Sequence, residues 1–339
     1  QSVENGSINR DVYAIKVDGK SKVRLSSKKG TNSATFSPNF QFFINTYSSA
    51  TSAPTYTLND SKTGAVVKTI VSNEAVETKL AKYDVTPKEF FVLTTEKGHQ
   101  LNAWMIKPKN FDATKKYPVF MFQYSGPGSQ QVANTWNGTN DYWFMMLAQQ
   151  GYIVACVDGR GTGFKGAAFK KCTQKELGKY EVEDQIDAAK VIGKYNYVDA
   201  SRIGIFGWSY GGFMSSNCLF QGADVFKMAI AVAPVTSWRY YDSIYTERYM
   251  QTPQENASGY DNNSPINHVS KLKGNFLLIH GTADDNVHVQ NTMKMVEALV
   301  QANKQFDWAI YPDKNHGIYG GKTRLQLYTK MTNFIKEKL

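Results

Sequence analysis

Two textures of apolar patterning divide this chain of 339 residues. Up to about residue 83, short runs of β-branched and aromatic residues alternate with polar turns. Val12–Val17 precedes Asp18-Gly19, then come Ser33–Phe36 and Phe42–Tyr47, and Thr55–Leu58 leads into Asn59-Asp60. Runs bounded by turn formers in this way predict antiparallel strands. So few strands would leave sheet edges unpaired, which fits part of a propeller or sandwich better than a complete domain. From residue 84 to residue 339, continuous apolar runs alternate with helix-period segments, the pattern of a mostly parallel sheet covered by helices on both faces. The strands this predicts are Val119–Tyr124, Ile153–Val157, Arg202–Phe206, Met228–Ala233, Phe276–His280 and Phe306–Tyr311. Val289, Met293, Val296 and Val300 recur at the spacing of one helix face, and Leu327, Met331 and Phe334 predict the stripe of a closing helix. The expectation is an α/β domain over 84–339, preceded by a partial antiparallel β segment over 1–83.

Composition removes several function classes. Apolar residues make up 42% and charged residues 20%, and no run approaches the roughly 18 apolar residues of a membrane span. The net charge is +10, but Lys and Arg are spread along the chain rather than gathered, so a nucleic-acid partner is not expected. The three cysteines show neither metal-site spacing nor a disulfide framework, and no metal or cofactor is expected. The chain opens on Gln1 without a signal-peptide pattern and reads as a mature form or a piece of a longer chain.

The chemistry-bearing motif is Gly207-Trp208-Ser209-Tyr210-Gly211, which follows the apolar run Arg202–Phe206 and precedes a helix-compatible segment. A turn this sharp needs small residues beside the nucleophile, which then projects above the sheet edge at a helix N-terminus. Pattern alone allows a Gly/Ser turn that merely caps a helix; the strand–turn–helix context favours a nucleophilic Ser209. A serine hydroxyl is a weak nucleophile at neutral pH and needs a base and an orienting carboxylate. Of the five histidines, His316 alone lies in a Gly-flanked loop after the last core strand, where an α/β-hydrolase carries its base. The loop after Phe276–His280 offers Asp284 and Asp285 side by side, and spacing cannot choose between them. The residue after the nucleophile, Tyr210, supplies a backbone N–H to an oxyanion by position, and Tyr124 at an early strand end is the candidate second donor. Gly161-x-Gly163-x-x-Gly166 is a weak dinucleotide fingerprint, with Glu181, Glu183 and Asp184 about 20 residues on but in a polar stretch rather than at a strand end.

Taken together, Gly207-Trp-Ser-Tyr-Gly-Gly, the run from His280 to His288, Asp158-Gly-Arg-Gly-Thr-Gly and Tyr240–Tyr249 resemble the prolyl oligopeptidase family, most closely its dipeptidyl peptidases. The resemblance implies an α/β-hydrolase peptidase domain over 84–339 and the end of a β-propeller over 1–83. It implies Ser209 as nucleophile, Asp284 rather than Asp285 as carboxylate, His316 as base, and the Tyr124 hydroxyl with the Tyr210 amide as oxyanion hole. It further implies that Val235, Trp238, Tyr241, Tyr245, Val287 and the Tyr210 ring form an apolar pocket for proline or alanine, with Asn286 contacting the substrate backbone. An uncharged aromatic box also suits a rigid pyrrolidine ring on physical grounds. Tyr241 and Tyr245, four apart, would share a face if helical. The implied activity is release of N-terminal dipeptides from peptide substrates through an acyl-enzyme, in an extracytoplasmic homodimer. The paired glutamates that bind the substrate amine in the family are not recognisable in this chain. Another peptidase of the family, acting on acylated termini or internally, and a catalytically silent binding homologue are the alternatives.

Overall fold

The computed structural model describes residues 1–83 and 85–339. The division expected between 83 and 84 therefore falls against a residue outside the described ones. Packing separates two compact units: residues 1–90, 106–109 and 132–150 in one, and residues 91–105, 110–131 and 151–339 in the other.

In the first unit, β1 (Tyr13–Ala14) and β2 (Val23–Arg24) form a short antiparallel pair, while β3 (Thr31–Phe36), β4 (Phe42–Ser48), β5 (Thr55–Asp60) and β6 (Val66–Val71) form an antiparallel meander in that order. Three of these strands match the predicted runs; the run Val12–Val17 pairs over only two residues, and β6 went unread. Val12, Leu25 and Phe43 form its small buried cluster. Every residue of β6 is exposed, so this strand is a free edge among the described residues.

The larger sheet has eight strands: β7 (Glu89–Thr94), β8 (Gln100–Ile106), β9 (Tyr117–Phe122), β10 (Ile153–Asp158), β11 (Val198–Trp208), β12 (Met228–Val232), β13 (Asn275–Gly281) and β14 (Asp307–Tyr311). Their spatial order is β14-β13-β12-β11-β9-β10-β8-β7, and every pairing from β10 to β14 is parallel. All six predicted core strands are present. β10, β12 and β13 are buried almost throughout, which is why they read as unbroken apolar runs rather than alternating ones.

The helices are α1 (Glu74–Leu80), α2 (Thr139–Gln149), α3 (Ala167–Lys171), α4 (Lys179–Gly193), α5 (Tyr210–Gln221), α6 (Ser243–Met250), α7 (Ala257–Asn262), α8 (Gln290–Gln301) and α9 (Thr323–Lys338). The stripe of α9 is as predicted, with Leu327 and Met331 fully buried and Phe334 nearly so. In α8 the helix is right but its face is not. Met293 and Val300 are exposed, and the buried positions are Asn291, Thr292, Met295 and Leu299. The buried polar pair has partners: Asn291 bonds the Thr236 backbone and Thr292 bonds His280, so hydropathy alone misplaced the stripe.

Candidate active site

The site begins where strand order reverses. β9 lies between β10, which follows it in sequence, and β11, which comes later, and open α/β sheets bind ligands beyond the strand ends at such a switch. Phe206 of β11 stands opposite Phe122 of β9, and the Gln123 N–H donates to the Phe206 carbonyl at 3.1 Å. The chain therefore leaves the two strands side by side, carrying Tyr124 on one and Ser209 on the other. At Ser209 it turns into α5 with φ 62° and ψ −119°, a conformation that costs a non-glycine residue on the order of 1–3 kcal/mol. The flanking glycines follow from contact distances. A Cβ on Gly207 would stand 2.3 Å from the Gly211 carbonyl oxygen, and one on Gly211 would stand 2.6 Å from that of Gln123. The Ser209 N–H donates to Val232 at 2.8 Å, fastening the elbow to β12.

Asp284 and His316 come from the loops after the next two strands, β13 and β14. The His316 Nδ1–H donates to Asp284 Oδ2 at 2.7 Å, which leaves Nε2 as the free end of the ring. Asp284 Oδ1 accepts the N–H groups of Asn286 and Val287 at 3.0 and 2.9 Å. Burial opposes ionisation of Asp284, but the bonds from His280 and His316, the His316 charge and the Asn286 amide outweigh it and hold the carboxyl well below the usual range. Asp285, its neighbour, is exposed. The His316 loop is tied to the elbow by Trp208, whose Nε1–H donates to the His316 carbonyl at 2.9 Å.

Burial raises the pKa of the Tyr124 phenol and the neighbouring Ser209 hydroxyl offsets only part of that rise, so Tyr124 stays a donor. The Tyr210 N–H occupies the first turn of α5, where an amide has no intrahelical acceptor. The aromatic rings form one continuous cluster. Tyr124 meets Tyr210 at 6.0 Å, Tyr210 meets Trp238 at 5.4 Å, Trp238 stacks on Tyr245 at 5.9 Å, and Tyr241 meets Tyr245 edge-on at 5.3 Å. Val235, Trp238 and Val287 are buried, while Tyr241 and Tyr245 are half-buried and face the same cluster. Tyr241 lies in extended backbone just before α6, so the two tyrosines meet without sharing a helix face. The Tyr241 hydroxyl donates to Asn286 Oδ1 at 2.6 Å, and burial pushes that phenol up to about 12. All the residues expected at the site thus lie at one end of the sheet.

Three contributors escaped sequence reading. His280, at the end of β13, is fully buried, and its Nε2–H lies 3.1 Å from Asp284 Oδ2 and 2.7 Å from the Val287 carbonyl. Both neighbours are acceptors, so Nε2 carries the proton while Nδ1 pairs with the Thr292 hydroxyl at 2.7 Å. Its place four residues before Asp284 was the available signal. Glu181 accepts a bond from the Tyr210 hydroxyl at 2.7 Å, and burial pushes its carboxyl up to about 7. Gln123 donates to the Gly211 carbonyl at 2.8 Å and to Ser215 at 3.0 Å beneath the elbow. The weak dinucleotide fingerprint finds no support. Asp184 and Glu183 are engaged by Arg160, Glu181 by Tyr210, and α3 is a helix of five residues.

Comparison with known proteins gives the family. The sequence profile of the prolyl oligopeptidase family matches residues 139–339, and that of the dipeptidyl peptidase IV N-terminal region matches residues 1–54. Proteins named "Probable dipeptidyl-aminopeptidase B" are similar at 39% identity in Sclerotinia sclerotiorum, over 98% of this chain and 37% of theirs. In Trichophyton verrucosum the identity is 42%, over 94% of this chain and 36% of theirs. The crystal structure of Porphyromonas gingivalis dipeptidyl peptidase 4 superposes with a TM-score of 0.97 at 51% identity, covering 99% of this chain and 47% of that one. The chain thus spans little more than a third of the length of these curated relatives and about half of the solved one.

Proposed function

This chain belongs to the prolyl oligopeptidase family, and we propose that it carries the catalytic centre of a serine exopeptidase that releases N-terminal dipeptides with proline or alanine in second position. The observation that carries the reading is the 2.7 Å bond from His316 Nδ1 to Asp284 Oδ2 at the sheet edge that also bears Ser209. Ser209 Oγ attacks the carbonyl carbon while His316 Nε2 takes its proton, and Asp284 stabilises the imidazolium that forms. The Tyr124 hydroxyl and the Tyr210 N–H receive the negative charge that develops on the carbonyl oxygen. His316 then protonates the leaving amine, and the C–N bond breaks to leave a Ser209 ester. Water, activated by His316, hydrolyses that ester and restores the hydroxyl.

Specificity follows from the uncharged box of Val235, Trp238, Tyr241, Tyr245, Val287 and the Tyr210 ring, which fills with a pyrrolidine or a methyl and offers a charged side chain no partner. Asn286, held by Tyr241, presents its amide N–H groups to the substrate backbone. The relatives' names support the dipeptidyl assignment, as does the match of residues 1–54 to a dipeptidyl peptidase region. We carry the division into a propeller remnant (1–83) and a peptidase domain (84–339), homodimerisation and an extracytoplasmic location as parts of the same proposal. Among the described residues, no helix is long and apolar enough to cross a membrane.

The test compares a free Gly-Pro anilide with its N-blocked counterpart in the full-length protein. A dipeptidyl peptidase turns over the free amine and rejects the blocked one by about 10⁴-fold or more, the scale on which a site is left with its own buried polar groups unpaired. Equal turnover of both would assign the chain to an acylaminoacyl peptidase or an endopeptidase of the family instead.

A further inference from the structure

Helix α4 packs beside α5 and turns buried polar side chains toward the active-site elbow without contributing a reacting group. Glu181 and Gln185 are both fully buried, and their spacing of four puts them on one face of the helix. Glu181 Oε1 accepts the Tyr210 hydroxyl at 2.7 Å and Oε2 accepts the Gly178 N–H at 3.1 Å. Gln185 Nε2 donates to the Val157 carbonyl at 2.8 Å and lies 3.4 Å from Ser125 Oγ, which in turn bonds Gln123. One helix face therefore reaches the residue after Ser209 and the residue after Tyr124, the two positions that bracket the oxyanion donors.

A carboxyl group this deep costs several kcal/mol of solvation unless its hydrogen bonds compensate. At Glu181 the side-chain compensation comes from a single hydroxyl, on a residue whose ring already packs against Tyr124, Phe213 and Trp238. Phenylalanine would fill that space equally well, so packing does not explain the hydroxyl–carboxylate pair. What the pair adds is a fixed rotation of the Tyr210 side chain, and with it a fixed first turn of α5.

We propose that Glu181 is a positioning residue for the oxyanion hole, which acts through the Tyr210 hydroxyl to aim the Tyr210 N–H at the carbonyl oxygen of the bound peptide. The inference rests on the peptidase reading above. Glu181 touches no substrate, so its loss weakens transition-state stabilisation and leaves ground-state binding alone.

The experiment measures kcat and KM for Gly-Pro anilide in the full-length protein and in Glu181→Leu, Glu181→Gln, Tyr210→Phe and the Tyr210→Phe, Glu181→Leu double variant. Organophosphonate titration of Ser209 normalises each kcat to folded sites. Complete loss of an oxyanion donor costs about 100- to 1000-fold, and a donor that is merely mis-aimed costs a part of that. We expect kcat to fall about tenfold in Glu181→Leu and Tyr210→Phe with KM within about twofold, and to fall no further in the double variant. Glu181→Gln keeps an acceptor for the Tyr210 hydroxyl and recovers most of the loss. Should Glu181→Leu not fold, Tyr210→Phe against Glu181→Gln carries the same prediction. A KM rise at constant kcat, losses that multiply in the double variant, or Ser209-dependent turnover unchanged in Tyr210→Phe would overturn this inference alone. Turnover that survives Ser209→Ala would instead sink the peptidase reading beneath it.

Discussion

Gly211→Ala perturbs the site through distance alone. The added Cβ stands 2.6 Å from the Gln123 carbonyl oxygen and 3.3 Å from Tyr124 Cα, both at the end of β9. Non-bonded carbon contacts settle near 3.5 Å, so α5 and the end of β9 must separate by roughly 0.5 Å or more. Overpacking of this kind costs about 1–3 kcal/mol, and the better helix propensity of alanine returns up to about 1 kcal/mol, leaving a net loss of up to about 3 kcal/mol. The separation falls between the Tyr124 hydroxyl and the Tyr210 N–H. A misplacement of 1 Å costs about 100-fold in rate, so about tenfold in kcat is expected here. The assay pairs urea denaturation with kcat for Gly-Pro anilide. Gly193→Ala, whose Cβ meets Ala200 at an ordinary 3.4 Å, serves as a control without effect on rate. Wild-type stability together with wild-type kcat in Gly211→Ala would refute the claim that the elbow has no slack.

Two further substitutions test the carboxylate and the histidine loop. Asp284→Asn should lower kcat by about 10⁴-fold, because the amide no longer holds the His316 tautomer. The folded-state pKa of Asp284 is depressed, so its stabilisation is present above the unfolded value near 3.9 and is lost as pH falls through the folded value. The stability gap between wild type and Asp284→Asn should therefore be widest at neutral pH and close below about pH 4, and a gap that widens on acidification would contradict the assignment. Trp208→Phe removes the 2.9 Å bond to the His316 carbonyl and should cost about 1 kcal/mol of stability and several-fold in kcat, with KM little changed. Unchanged kcat there would mean that the His316 loop needs no tether.

What could be read from the sequence was what local pattern dictates. Strands β10, β12 and β13 are buried on both faces and announce themselves as apolar runs, and the turn at Ser209 needs the glycines that spell its motif. The stripe of α8 was misread because Asn291 and Thr292 are buried by virtue of distant partners, Thr236 and His280, that no local window contains. Asp284 and Asp285 are equivalent in composition and adjacent in the chain; they differ only in which one the loop turns inward to His316. Glu181 reads in sequence only as one acid of a polar stretch, because the partner that marks it as a site residue, the Tyr210 hydroxyl, lies 29 residues away. His280 hid in the same way, as an apparent strand end whose role appears once the Asp284 loop folds back on it.

The claim on which the rest depends is that Ser209 is the nucleophile. The most direct measurement is exposure of the full-length protein to a dipeptidyl phosphonate ester of proline, followed by mass mapping of the adduct. The account predicts one stoichiometric adduct on Ser209, formed with parallel loss of peptidase activity and absent from Ser209→Ala. An unmodified Ser209 in folded protein, or an adduct elsewhere that abolishes turnover, would contradict it.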